Sequence, residues 1–180
     1  NALLYAARLG IPERVLLCLD KGIDVEVTDD TDISALMFAS VHGKLKVVTA
    51  LLDRPADIEA KANDGTTALM QASMTNHVST AIKLLDRDAQ LEATDNDGFT
   101  ALMIASMNDS VEVVKELLDN RHADIEATAK DGATALYLAS FKGHINTVIT
   151  LLERHAEIEA TSNEGLTPLL VASHEGHVNV

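Results

Sequence analysis

The side chains of this sequence most able to do chemistry are its 7 histidines and its surplus of carboxylates. The closest histidine pair is His174-Glu-Gly-His177, whose i,i+3 spacing offers two nitrogens to a metal ion. Gly176 predicts a helix break between them, and zinc needs three or four converging ligands. No metal site and no cofactor are expected. No Ser-His-Asp order, G-x-S-x-G turn or phosphate-cradling glycine loop is present either, so the chain reads as a non-enzyme. Its 28 Asp+Glu against 14 Lys+Arg give a formal charge of −14. Nothing in their pattern predicts raised pKa values. Such a surface repels phosphate backbones and anionic membranes, which excludes nucleic acid and membrane as expected partners. It favours a protein with a basic patch. Asn108-Asp-Ser110 fits a glycosylation sequon, which is silent in an intracellular protein.

These residues recur in columns, so the elements that carry them must repeat. The phrase Thr100-Ala-Leu-Met-Ile-Ala-Ser106 returns in close variants starting at 1, 34, 67, 134 and 167, at spacings of 33 or 34 residues. A fixed period of this size means a stack of like units. Within one unit, Ala62-Asn-Asp-Gly65 predicts a turn and Thr67 a helix cap. A first helix is expected from Ala68 to Thr75, a break at Asn76-His77, and a second helix from Val78 to Arg87. Apolar residues at Val111, Val114, Leu117 and Leu118 make one stripe on the second helix, with Leu85 and Leu118 expected between layers. Asp57-Ile-Glu-Ala60 and its counterparts close each unit in extended form. Neither helix buries its stripe alone, so the expected class is an all-α repeat solenoid.

Turn, T-x-L-x-x-A helix, break, Leu-Leu helix and A-D-I-E-A together resemble the ankyrin repeat family over essentially the whole chain. The resemblance implies antiparallel helix pairs joined by β-turn or hairpin fingers, with fingers and first helices lining a concave groove. It divides a single array, 1–180, into repeats of about 1–28 (partial), 29–61, 62–94, 95–128, 129–161 and 162–180 (partial). Some positions depart from the family pattern. The family's Pro remains only at Pro168. Its His is replaced by Met37, Met70, Met103, Tyr137 or Leu170, which implies loss of its polar bridging. Asp32 stands in the finger-glycine column, so the first complete finger is expected to bend differently. Asn76 and Asp109 replace Gly between helices, and both types tolerate the left-handed region. The extra residue within Asn120-Arg-His122 falls at a helix end. Neither end carries a polar capping repeat, so the segment is expected to belong to a longer chain or larger complex.

By the same resemblance, partner contacts come from the finger tips, the residue before the capping Thr and the end of the first helix. In this sequence those positions are Thr66, Met74, Asn96, Asp97, Phe99, Met107, Asn108, Lys130, Asp131, Phe141, Lys142, Asn163, Glu164 and Leu166. Phe99, Met107 and Phe141 are large apolar residues where the scaffold does not demand them, and interface anchors are often aromatic or Met. Two charge ladders, Glu26 to Glu159 and Lys21 to Arg154, read as structural. Cys18 shares a Leu column and is expected to be a small buried hydrophobe. A single cysteine and no apolar run of about 18 residues give an expected intracellular, cytoplasmic home. The expected function is a non-enzymatic scaffold that binds a partner protein in the groove. Two alternatives are a targeting or regulatory segment of a larger enzyme or channel, and an architectural array within a large assembly.

Overall fold

Helices this short are marginal alone, so each needs a defined start and a packed face. The starts come from one repeated device. Ser34, Thr67, Thr100, Thr134 and Thr167 each accept, on the side-chain oxygen, the backbone N–H three residues on, at 3.2–3.5 Å. Met70 Sδ returns the favour by accepting the Thr67 N–H at 3.4 Å. The thioether thus keeps a weak form of the polar bridge that replacement of His was expected to remove.

The computed structural model describes residues 1–180. It divides into two compact units, Asn1–Gln90 and Leu91–Val180. The first unit holds α1 (Ala2–Leu9), α2 (Pro12–Asp20), α3 (Ala35–Val41), α4 (Leu45–Leu52), α5 (Ala68–Met74) and α6 (Val78–Leu85). The second holds α7 (Ala101–Met107), α8 (Val111–Lys115), α9 (Ala135–Lys142), α10 (Ile145–Leu152) and α11 (Pro168–His174). In the first unit α1, α3 and α5 pack in series beside the row α2, α4 and α6. In the second, α7, α9 and α11 form one row, with α8 and α10 in the other. Each unit is a stack of helix pairs.

The core is built from thin layers. Ala39, Ala72, Ala105 and Ala139 are fully buried, letting first helices approach closely. Met37, Met70 and Met103 are each 1% exposed and fill the space between layers. The Leu pair of the second helix corrects the sequence reading. Leu51, Leu84, Leu117 and Leu151 are fully buried, while Leu52, Leu85 and Leu118 are only half-buried. A helix turns about 100° per residue, so adjacent leucines cannot both face the core. The first of each pair takes it. Cys18 shares the second column and is half-buried rather than buried.

Chain reversals rely on positive φ. Asn76 and Asp109 adopt φ 57° and 54° between helices, as Gly43 and Gly143 do with 61° and 72°. Gly43 and Gly143 have a second duty. A Cβ there would lie 2.5 Å from the His77 ring and 2.6 Å from the His177 ring. Asp32 adopts φ 58° and donates its N–H to the Asp29 carbonyl, as the finger glycines do to theirs. The first complete finger therefore bends like the others, contrary to expectation. Asp tolerates the left-handed region, and Asp29 Oδ1 steadies the turn by accepting from Thr31 N, Thr31 Oγ1 and Ile33 N. The Thr31 hydroxyl, its backbone N–H and that of Ile33 hold the Asp29 carboxyl below its ordinary value. Thr28 and Ser34 form one isolated antiparallel bridge at this finger's base.

The extra residue of the fourth repeat lies inside the second helix. Glu116–Asn120 form a π-turn continuing α8. Ala89 and Ala156 donate to the carbonyls of Leu84 and Leu151, five residues back, while Ala123 donates to Leu117, six back. A wider turn absorbs one residue without shifting the layer. Asp88, His122 and His155 end their helices in the left-handed region, at φ 67°, 59° and 65°. That is the role of the His122 and His155 column.

Candidate functional site

Fingers can present side chains only if they are held in line. In the second unit the fingers span 95–99, 129–133 and 162–166, each closed by the same backbone pair. Asp95 N–H donates to Phe99 O and Gly98 N–H to Asp95 O, at 3.1 and 3.2 Å. Lys130 N–H then donates to Asp97 O, and Asn163 N–H to Asp131 O, at 3.0 and 2.8 Å. Asn163 Nδ2 adds a bond to Lys130 O at 2.9 Å. A Cβ on Gly132 would meet Asn163 Oδ1 at 2.7 Å and its backbone N at 2.8 Å, so a side chain here would force Asn163 to shift.

The segments that precede the fingers are pinned by charge. Glu92 Oε1 accepts the Asp124 N–H and Glu126 Oε1 the Glu157 N–H, at 2.9 and 2.8 Å. Arg154 grips Asp119 with Nε and Nη2, both at 2.7 Å. That guanidinium holds the Asp119 carboxyl below its ordinary value, and Asp119 in turn raises Arg154. The first unit repeats both devices. Glu26 and Glu59 accept from Asp57 and Gln90, and Arg54 and Arg87 pair with Asp20 and Asp53. The ladders are staples between repeats. The histidine column is another, since His144 Nε2 and His177 Nε2 lie 3.0 Å from the carbonyls of Met107 and Phe141.

Against this frame the candidate side chains fall into distinct settings. Phe99 and Leu166 are half-buried at finger ends, and Met107 is half-buried at the end of α7. Phe141, 36% exposed, closes α9 with Lys142 Nζ 5.1 Å from its ring centroid. Asn108 caps α7 and donates Nδ2 to the Ile104 carbonyl at 2.8 Å. Asp97 is an exposed tip, and the Asn96 carbonyl accepts Lys130 Nζ at 2.6 Å. Asp131, Asn163 and Glu164 line one cavity of about 280 Å³ together with Tyr137 and Ser162. Thr66 and Met74 belong to the first unit. Thr66 is spent locally, its hydroxyl bonding Asp64 and Gln71. Met74 ends α5 and is 38% exposed.

Stacked helix pairs, capping Thr residues and register-locked fingers are the architecture of one family. The family model of ankyrin repeats (3 copies) matches residues 56–129 and 121–180. The chain belongs to the ankyrin repeat family. No curated protein matches it. Ankyrin repeats are generally protein–protein interaction modules and typically non-catalytic. No helix of this ankyrin chain is long and apolar enough to cross a membrane. Tyr137 and Ser162 were not among the candidates read from sequence. Tyr137 carries a visible signal, as the one aromatic in a column otherwise holding Met37, Met70, Met103 and Leu170. Ser162 carries a weaker one, since its column mixes Ala62 and Ala129 with Asp29 and Asp95, which accept the same finger N–H that Ser162 Oγ does.

Proposed function

We propose that this ankyrin chain is a non-enzymatic scaffold that holds a partner protein on the finger and first-helix face of its second unit. The observation that carries the reading is the placement of Phe99, Met107, Phe141 and Leu166. These large apolar side chains stay half-buried or exposed on a scaffold whose core is filled by other residues. Aromatic and Met side chains of this kind make interface anchors. The finger tips of the same unit carry Asp97, Asp131 and Glu164, which favour a partner patch rich in Lys and Arg. The single cysteine fits a reducing, intracellular setting.

The test compares proteins captured from extract by the wild type and by the Phe99→Ser/Phe141→Ser double variant. Specific partners should be lost while helicity by circular dichroism is unchanged. Equal capture by the two proteins would place the site elsewhere. Affinity for the captured partner should also fall as salt rises, because the acidic tips act through screened charges. A flat salt response would remove the electrostatic part.

A further inference from the structure

A cavity lies between the second and third fingers of the second unit. Its lining residues are Asp131, Tyr137, Ser162, Asn163 and Glu164. At about 280 Å³ it is smaller than a drug-sized pocket and suits one long side chain. Its walls are fixed, since Asn163 is tied to both Asp131 O and Lys130 O. Asp131 Oδ1 accepts the Ala133 N–H, which orients that carboxylate. Neither Asp131 nor Glu164 is paired with a cation. The nearest cation in sequence, Lys130, is held away, its Nζ bonded to the Asn96 carbonyl at 2.6 Å. The Tyr137 side chain, half-buried, forms no hydrogen bond and brings an aromatic ring to the lining.

The geometry points to a receptor for a single arginine side chain of a partner protein. A guanidinium is flat, stays charged and is weakly hydrated, so it suits stacking on an aromatic ring beside carboxylates. Its fork of donors matches carboxylate oxygens, which lysine's point charge does not. Preorganised walls reduce the ordering cost that a flexible acidic surface would incur. The inference rests on the reading of this face as partner-binding, and adds the residue type that the fingers would select.

The experiment titrates acetyl-arginine-amide into the full chain and follows backbone amide and Tyr ring NMR signals. Acetyl-citrulline-amide, equal in shape and neutral, and acetyl-lysine-amide serve as competitors. Expected are saturable millimolar shifts confined to Asp131, Gly132, Tyr137 and residues 162–164, with citrulline silent and lysine several-fold weaker. Tyr137→Leu, which restores an aliphatic residue to its column, should weaken arginine binding several-fold. Asp131→Asn/Glu164→Gln should abolish it with the fold intact by circular dichroism. Shifts spread over the whole acidic surface, equal binding of citrulline, or an unaffected Tyr137→Leu variant would overturn the assignment. The wider partner-binding reading is judged separately by the Phe99/Phe141 variant, which leaves the cavity lining untouched.

Discussion

The second unit carries carboxylates of the same kind in two settings that behave oppositely. Before the fingers and at the ends of the second helices, Glu92, Glu126 and Asp119 are consumed, two by backbone N–H groups of the next repeat and one by Arg154. In the finger cavity, Asp131 and Glu164 are exposed lining residues with no cation partner. The two sets are indistinguishable by residue type or by the period that carries them. What separates them is whether the next repeat brings a donor within about 3 Å, the hydrogen-bonding range. One set of carboxylates is glue between repeats, and the other is left without a cation partner.

Four tests sharpen or break that contrast. The largest effect should come from the buried leucine of the second helix. Leu117→Ala should cost about 2–5 kcal/mol in urea unfolding, and half-buried Leu118→Ala clearly less. Equal costs would mean that the buried stripe is misassigned. Next, Glu126→Ala removes the acceptor of the Glu157 N–H and should cost about 0.5–1.5 kcal/mol. A silent result would demote the Glu ladder from staple to solvated face. Asp119→Asn should cost about 0.2–1 kcal/mol at neutral pH, because the Arg154 pair is partly exposed and screened. Its pH dependence has a definite sign. Arg154 holds the folded Asp119 carboxyl below its ordinary 3.8, so the contribution is complete above that value. It is lost as pH falls through the lowered folded value, and the wild-type and Asp119→Asn unfolding curves should converge in acid. The smallest stability effect belongs to Asp131→Asn/Glu164→Gln, expected within about 0.5 kcal/mol of wild type. A large loss there would show that the cavity carboxylates are scaffold after all.

Much of the fold is legible from sequence because its signals are local. Thr100 caps Ala101–Met107 through a bond spanning three residues, and Asn76 and Asp109 meet the left-handed turn within their own break. The finger of Asp29–Ile33 was misjudged for a local reason as well. A column of glycine suggested a requirement that Asp32, braced by the Asp29 carboxylate's bonds, also satisfies. The Leu pairs failed differently. Periodicity aligned Leu84 with Leu117 and Leu85 with Leu118, but only the rotation of each helix against its neighbours decided which column entered the core.

Sequence alone therefore determined the repeating unit, its helix pair, its caps and its turns, because each is written within one period of 33 or 34 residues. Tertiary structure decided where the Lys130 amine goes, which carboxylates are spent, and that Tyr137 joins Asp131 and Glu164 around one cavity. Those outcomes depend on distances between side chains of successive repeats. A period places such residues in register, and only packing sets how far apart they stand.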